Sequence, residues 1–173
     1  MINDQHEWLD VVDSDDQVIG AATRAEIHRE GLRHRAVHIV VLNTAGDVFL
    51  QLRSNQKDND PGLWDTSVAG HVDSGETYLE CAVRELQEEL GVKVSEADLQ
   101  PHFFMQARPE TGMEFAWVYT LQHEGPFEPD PDEIDDTQWV PPATLEAWIA
   151  TEPETLTRVF RLLWSQLNSG DSP

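Results

Sequence analysis

Three glutamates, Glu85, Glu88 and Glu89, lie within five consecutive residues of the chain. On a helix such positions are neighbours, so the carboxylates would repel one another at a cost of roughly 0.2–0.5 kcal/mol per pair. A hard divalent cation would offset this repulsion, because Mg²⁺ prefers carboxylate oxygens and is commonly shared with substrate phosphates. The spacing therefore predicts metal-assisted chemistry on a phosphorylated compound. The alternative is a solvated acidic helix face without a ligand.

The neighbouring residues predict where this helix begins and ends. Thr77 followed by Glu80 forms a capping box, and Gly91 occupies the position of a left-handed C-terminal cap. We therefore predict a helix over 78–90. At about 100° per residue one apolar stripe forms, and the three glutamates fall on the opposite side. The stripe consists of Leu79, Val83, Leu86 and Leu90.

The glutamates belong to a longer pattern, GHVDSGETYLECAVRELQEELGV, which runs from Gly70 to Val92. This pattern closely resembles the signature box of the Nudix hydrolases, and each fixed position of that box is filled. A solvated surface helix would explain the carboxylates but not Gly70, Glu76 or Arg84.

The resemblance implies a role for each box residue. Glu85, Glu88 and Glu89 would be ligands of Mg²⁺ or Mn²⁺, with one of them a candidate general base, and the Gly70 carbonyl would be a further ligand. Glu76 would pair with Arg84 and hold the helix and the preceding loop in register. The implied reaction is water attack at phosphorus, which cleaves a diphosphate linkage in a small nucleotide-like or other diphosphate-containing molecule.

Outside the box, the resemblance covers about residues 7–165 and becomes more specific. The stretches GLRHRAVHIVVLN, FLQLRS, KDNDPGLWDTSVAGH and PDEIDDTQWVP are similar to the Nudix branch related to isopentenyl-diphosphate isomerase. That isomerase has a catalytic cysteine directly before the Gly-His pair, where this chain has Ala69, and its glutamate helix is degenerate. Alanine cannot transfer a proton to or from an alkene. A hydrolase is therefore favoured over an isomerase-like enzyme. A non-catalytic Nudix ligand sensor is a third alternative, in which erosion of the box glutamates is expected.

Four residues match the metal site of the isomerase. His34 and His71 align with two of its histidines, His28 aligns with a third after a one-residue gap, and Glu114 aligns with an active-site glutamate. Imidazoles and a carboxylate would form a second, softer metal site, and Glu114 is also a candidate substrate contact. Structural histidines that only form hydrogen bonds are the alternative.

Basic residues are scarce, and the only concentration of them precedes the box. Guanidinium and ammonium groups suit phosphate oxygens, so Arg53 and Lys57 are candidate phosphate contacts, with solvated surface cations as the alternative. Arg33 and Arg35 are expected to pair with local acids. Glu133, in an acidic loop, is a candidate substrate-site carboxylate or a solvated one.

Composition limits the partners. The chain has 33 acidic and 11 basic residues and a formal charge of −22, which argues against nucleic acid polymers and anionic membranes as partners. The acidity indicates either general solubility, including adaptation to high salt, or a functional acidic surface. One cysteine, Cys81, precludes an internal disulfide and fits a cytoplasmic location. A small diphosphate is the expected partner, and a homodimer is a family-based expectation.

We predict one α/β domain over 1–173, with an N-terminal hairpin and short helix in 1–35 and a frayed tail at 168–173. The resemblance implies an α/β/α sandwich with a mixed sheet, in which the box forms a loop, a helix and a loop. Trp64 and Trp117 are candidates for stacking on a base or lining a pocket, with buried packing as the alternative. Strands are predicted near 7–12, 18–22, 36–42, 48–53, 66–72, 102–106 and 114–121, helices near 24–30, 78–90, 143–150 and 153–167, and loops over 55–62 and 126–136.

Overall fold

A computed structural model describes residues 7–169. Residues 1–6 of the predicted domain and 170–173 of the predicted frayed tail lie outside this range. The strands are β1 (Trp8–Val12), β2 (Val18–Thr23), β3 (His34–Leu42), β4 (Val48–Arg53), β5 (Trp64–Asp65), β6 (Val68–His71), β7 (Gln100–Met105), β8 (Glu114–Gln122) and β9 (Ile134–Val140). The helices are α1 (Arg24–Glu30), α2 (Tyr78–Leu90), α3 (Pro142–Thr151) and α4 (Arg158–Asn168).

Seven of these strands form one mixed sheet, and β1 and β2 form a separate hairpin. The order β5-β4-β3-β8-β7 runs across the sheet, β6 also pairs with β3, and β9 pairs with β4. The β3–β8 pairing is parallel over its full length, from His34–Glu114 to Leu42–Gln122, whereas the other pairings are antiparallel. The mixed sheet expected from the sequence is confirmed.

Alternation along β3 divides the core between the two faces of the sheet. Val37, Ile39 and Val41 face α2 in one buried cluster. Ala36 and Val40 face the opposite way and pack in a second cluster with residues of α3 and α4. Helices therefore cover both faces, which confirms the predicted α/β/α sandwich. Within residues 7–169, no helix is both long and apolar enough to cross a membrane.

The sheet opens between β3 and β4, and this opening positions the site. The two strands pair at Leu42 and Val48, beyond which β4 pairs with β5 and β9. The other half of β3, from Ala36 to Ile39, pairs instead with β6. Since β6 leads directly into the box, the start of the box lies beside this split, as does α2.

Three predicted boundaries were wrong. The acidic segment predicted as a loop over 126–136 ends in β9, whose partner β4 is distant in sequence. The last helix does not begin at Pro153, because the Thr157 hydroxyl caps a new helix by accepting from Phe160 N at 3.2 Å. The strand predicted over 66–72 is shortened to β6, and β5 precedes it.

Candidate active site

Helix α2 has the predicted bounds and caps. The Thr77 side chain accepts from Glu80 N, Glu80 bonds back to Thr77 N, and Gly91 has a left-handed conformation with φ 67°. Both caps are local in sequence, which explains why the pattern predicted them. The helix is therefore fixed at both ends before it contacts the sheet.

The buried face of α2 differs from the predicted one. Glu85 and Glu89 are only 8% and 5% exposed, in the middle of the buried face, whereas the Glu88 side chain is 59% exposed. Leu79 and Val83 lie at the edge of that face and are only half-buried. The prediction that all three glutamates lie opposite the packed side was wrong for two of them. Their carboxylates face the split in the sheet.

Gly70 contacts Glu85 directly, which accounts for the glycine in the box. A Cβ built at Gly70 would lie 2.1 Å from the Glu85 carboxyl carbon and from its Oε1. Any side chain at this position would displace the carboxylate. The backbone at Gly70 is not left-handed, so space rather than conformation requires the glycine.

Arg84 connects the box loop to the glutamates. Its Nε and Nη2 donate to the two oxygens of Glu76, both at 2.9 Å, as the resemblance implied. Nη1 donates to Glu85 at 2.7 Å and to Glu88 at 3.0 Å, and Nη2 also donates to the His71 carbonyl at 3.0 Å. The guanidinium thus holds three carboxylates and one strand end in a fixed arrangement.

Glu89 is held by a neutral donor from the other side of the split. Gln51, on β4, donates from Nε2 to Glu89 Oε2 at 2.7 Å and to the Ser67 carbonyl at 3.1 Å. Burial, followed by the neighbouring charge of Glu85, raises the pKa of Glu89 well above its usual value. Burial also raises the pKa of Glu85 to about 8, against the opposing effect of Arg84. Two adjacent carboxyl groups are therefore buried where the charged form is disfavoured.

A cleft of about 840 Å³ opens above these carboxyls. Arg53 and Lys57 line it, and neither is a solvated surface cation, since their side chains are 14% and 15% exposed. Lys57 pairs with Glu133, which also lines the cleft, and Arg53 contacts Asp65 at 3.3 Å and the Asn59 carbonyl. The structure thus brings the predicted phosphate contacts and Glu133 to one cavity.

The histidine group predicted from the isomerase resemblance adjoins the cleft, which is lined by two of its members, His71 and Glu114. Potential ligand atoms of His28, His34, His71 and Glu114 lie within 4.8 Å of one another. Glu114 Oε1 lies 3.2 Å from His71 Nε2 and 3.6 Å from His34 Nε2. His34 Nδ1 contacts the Leu32 carbonyl at 2.9 Å, so Nδ1 carries the proton and Nε2 is left as a lone pair.

Comparisons with known proteins agree with this geometry. The NUDIX domain family model matches residues 32–162, which include the box and most of the residues that line the cleft. The chain belongs to the Nudix family. A Nudix hydrolase of Yersinia pestis is 36% identical over 141 residues, covering 82% of this chain and 76% of that protein. The family and its hydrolase relatives identify the chain as a Nudix-type pyrophosphohydrolase.

One further comparison supports the predicted branch of the Nudix family, and another supports the fold. An isopentenyl-diphosphate Δ-isomerase of Serratia proteamaculans is 30% identical over 167 residues, covering 95% of this chain and 93% of that enzyme. The crystal structure of DR0079 from Deinococcus radiodurans has a TM-score of 0.75 at 33% identity, covering 84% of this chain and 90% of that one. The hydrolase relative and the isomerase relative therefore each align with most of this chain.

The carboxylates of the Nudix box fit a hard divalent cation. Glu85 and Glu89 are buried side by side, which disfavours their charged forms, and Glu88 adds an exposed carboxylate one turn away. A doubly charged ion with oxygen preference would compensate both the burial and the mutual repulsion. The donor set thus suits Mg²⁺ or Mn²⁺.

The histidine group fits a softer divalent ion. His34 Nε2 is buried and forms no hydrogen bond within the described residues. Burial lowers the pKa of His71 to about 4, so its imidazole is neutral, as a ligand must be. Neutral imidazoles around a carboxylate anion form a donor set suited to Zn²⁺ or Mn²⁺.

Several residues that line the cleft were missed from the sequence, among them Gln51, Arg24 and His38. Gln51 shares one face of β4 with Phe49, and a polar side chain in an apolar strand was the available signal. Arg24 begins α1 and lines the cleft, with its Nη1 3.9 Å from Glu7. His38, within the apolar run of β3, also lines the cleft.

Proposed function

We propose that this protein hydrolyses a diphosphate linkage in a small molecule with the help of Mg²⁺ or Mn²⁺. The observation that carries this proposal is the burial of Glu85 and Glu89 together, against Gly70 and Gln51, at the base of a cleft that also contains basic side chains. When bound, the metal ion neutralises phosphate oxygens and lowers the pKa of water.

The chain's own residues position the reacting groups. Glu85, Glu88 and Glu89 would hold the cation through carboxylate oxygens, with the Gly70 carbonyl as a further ligand and one glutamate as the general base. Arg84, bonded to Glu76, would keep two of these carboxylates in place. Such preorganisation avoids reorganisation cost during the reaction.

Basic side chains would orient the diphosphate. Arg53 and Lys57 both line the cleft, and each pairs with a carboxylate. Each side chain is therefore held in one orientation and is partly shielded from water. A phosphate could displace Glu133 from Lys57, which would place Glu133 beside the substrate. Arg24 adds a third cation on the histidine side of the same cavity.

We also propose that His28, His34, His71 and Glu114 bind a second divalent ion of the Zn²⁺ or Mn²⁺ type. The convergence of four donor atoms and the unpaired His34 Nε2 support this site. Elemental analysis of purified protein after dialysis against Zn²⁺ should find one more equivalent in the wild type than in His34→Gln. Equal metal content in the two proteins would contradict the site.

The isomerase-like alternative is favoured by the histidine group and opposed by Ala69. For either enzyme the expected partner is a small diphosphate, and neither a nucleic acid polymer nor a membrane is expected. A cytoplasmic location and a homodimer stay predictions. Neither alternative requires the group attached to the diphosphate to be known, because the box addresses only the diphosphate.

A turnover assay distinguishes the candidates. Protein with Mg²⁺ or Mn²⁺ is incubated with nucleoside diphosphates and triphosphates, nucleotide sugars, coenzyme A and prenyl diphosphates, and the products are separated by chromatography. The proposal predicts cleavage at phosphorus of at least one compound. Conversion between prenyl isomers without cleavage would establish the isomerase instead, and binding without turnover would establish the sensor.

A matched pair of variants links that turnover to the box. Glu89→Gln removes a charge but little volume, so kcat should fall by at least about 100-fold while the fold is retained. Glu96→Gln makes the same change at an exposed position and should keep wild-type turnover. Near-normal kcat in a folded Glu89→Gln protein would reject the assignment.

A further inference from the structure

The hairpin of β1 and β2 lies beside the loop that leads into the box helix. Both strands precede residue 32, where the match to the family model begins. Leu9 forms a bridge with Asp73, and the Trp8 carbonyl accepts from Ser74 N at 2.8 Å. Strand β1 is therefore a direct neighbour of the box loop, although the box pattern contains no residue of the hairpin.

One carboxylate of β1 holds this loop. Asp10 is 8% exposed, and its Oδ1 accepts from the Ser74 hydroxyl at 2.6 Å and its Oδ2 from Gly75 N at 3.3 Å. These two donors are at the centre of a turn that is closed by a bond from Glu76 N to the Asp73 carbonyl at 2.9 Å. Gly75 has φ 85°, which suits the third position of such a turn. Asp10 therefore holds the turn at its middle.

The end of the same turn is bonded to the guanidinium that orders the site. Glu76 Oε2 accepts from Asp73 N at 3.1 Å and from Arg84 Nη2 at 2.9 Å. One carboxylate oxygen thus joins the turn to the arginine, which also bonds Glu85 and Glu88. A displacement of the turn would therefore move Arg84, and with it two of the proposed metal ligands.

Asp10 is a fixed point because other contacts hold the hairpin. Leu9 and Val12 are 0% and 2% exposed, so β1 is anchored by apolar burial. At the turn of the hairpin, Asp16 accepts from Arg35 Nε at 2.7 Å and from the Tyr78 hydroxyl at 3.0 Å. The hairpin thus stays in place without the Asp10 bonds, and the effect of those bonds falls on the box loop.

We propose that Asp10 is a positioning residue of the active site. It fixes the box turn, and the turn keeps Glu76 and Arg84 in register with the box glutamates. The effect of Asp10 on turnover rests on the proposed function. A carboxylate offers one acceptor oxygen to the Ser74 hydroxyl and another to the Gly75 amide, whereas a side-chain amide of the same size has a single acceptor oxygen. Without acceptors the turn opens more often, and the pair of Glu76 with Arg84 opens with it.

Two substitutions of nearly equal volume separate these bonds from packing. Asp10→Asn keeps one acceptor oxygen, and Asp10→Leu keeps none. NMR of isotopically labelled protein without substrate measures how fast the Arg84 Nε proton exchanges with water, and Arg84→Lys assigns the signal. Exchange should be about 10-fold faster in Asp10→Leu than in the wild type and intermediate in Asp10→Asn, because this proton, which is bonded to Glu76, is released when the pair opens.

Turnover of the substrate found in the panel is the second measurement. At a temperature at which each variant is fully folded, kcat should fall about 10-fold in Asp10→Leu and by less in Asp10→Asn, since small displacements of reacting groups slow the reaction. KM should change by less than about 2-fold, because the turn carries none of the proposed phosphate contacts. A role in stability alone would lower Tm and leave kcat of the folded variants unchanged.

Control variants complete the test. Asp15→Leu removes an exposed carboxylate from the same hairpin and should keep wild-type exchange and kcat. Ser74→Ala breaks the hydroxyl bond at an exposed loop residue, which covers the case in which Asp10→Leu does not fold, and should speed exchange and lower kcat about 3-fold. Wild-type exchange or wild-type kcat in folded Asp10→Leu, or in Ser74→Ala, would overturn the inference. A wild type that cleaves no compound of the panel would count against the proposed function, and the exchange rates would still decide whether Asp10 holds Arg84.

Discussion

Gly70→Ala directly tests the close contact between Gly70 and the Glu85 carboxyl. The new methyl carbon would lie 2.1 Å from the Glu85 carboxyl, and ordinary contact begins near 3.4 Å, so the carboxylate must retreat by about 1.3 Å. Glu85 is buried and held by Arg84 at 2.7 Å, which leaves little room for that movement. The substitution therefore displaces one proposed metal ligand and leaves the backbone conformation allowed.

The expected losses differ between activity and stability. Misplacement of a reacting group by about 1 Å can lower the rate roughly 100-fold, so kcat in Mg²⁺ should fall by at least that factor. Overpacking in a core costs about 1–3 kcal/mol, which corresponds to a decrease of roughly 2–12 °C in Tm for a chain of this size. The variant should remain folded at 25 °C.

Gly20→Ala is the matched control, because a Cβ at Gly20 meets nothing within 4 Å. Turnover of the substrate found in the panel and thermal unfolding are measured for both variants and the wild type. The control should match the wild type in kcat and Tm. If Gly70→Ala kept more than about a third of the wild-type kcat, the reasoning from this close contact would be refuted.

Four further outcomes are expected. Gln51→Leu removes the donor to Glu89 and should lower kcat about 10-fold or more with the fold intact, and unchanged kcat would contradict a positioning role. In Arg84→Lys the ammonium group cannot form all the hydrogen bonds that the guanidinium shares between Glu76 and Glu85, so kcat should fall about 100-fold. A variant with half the wild-type activity would argue against this positioning role of Arg84. Burial raises the pKa of Glu85 to about 8 from an ordinary 4.5, so the stability gained from its proton is full below pH 4.5 and is lost as the pH rises to about 8. Because Mg²⁺ replaces that proton, its addition should raise Tm more at pH 8 than at pH 5 in thermal scans against EDTA, and equal shifts would contradict the linkage. Cys81 is buried and burial raises the pKa of its thiol, so Ellman's reagent should react only after unfolding, and rapid labelling of native protein would exclude that environment.

Local signals predicted the box helix and its caps. Thr77, Glu80 and Gly91 act through hydrogen bonds within a few residues, so the chain reveals them without a tertiary context. Strand β9 was missed because its partner, β4, is some 85 residues away and its first half carries consecutive aspartates. Pairing with a distant strand, rather than local propensity, determines that element.

The same distinction applies to the site. The pairing of Glu76 with Arg84 follows a fixed spacing in the box, and the structure confirms the contact. The burial of Glu85 and Glu89 depends on which face of α2 lies against the split in the sheet. A helical wheel shows which residues share a face of the helix, but it does not show which face the sheet covers. Contacts such as Gln51 with Glu89 join segments that only the fold brings together.

The central claim is that Glu85, Glu88 and Glu89 hold divalent cations beside the substrate diphosphate. An anomalous difference map from crystals soaked in Mn²⁺ with a non-hydrolysable diphosphate tests it directly. The account predicts a peak about 2.0–2.3 Å from oxygens of Glu85 and Glu89, with a phosphate oxygen completing the coordination. A map without a peak there, with Arg84 still bonded to Glu85 and Glu88 as described above, would contradict it.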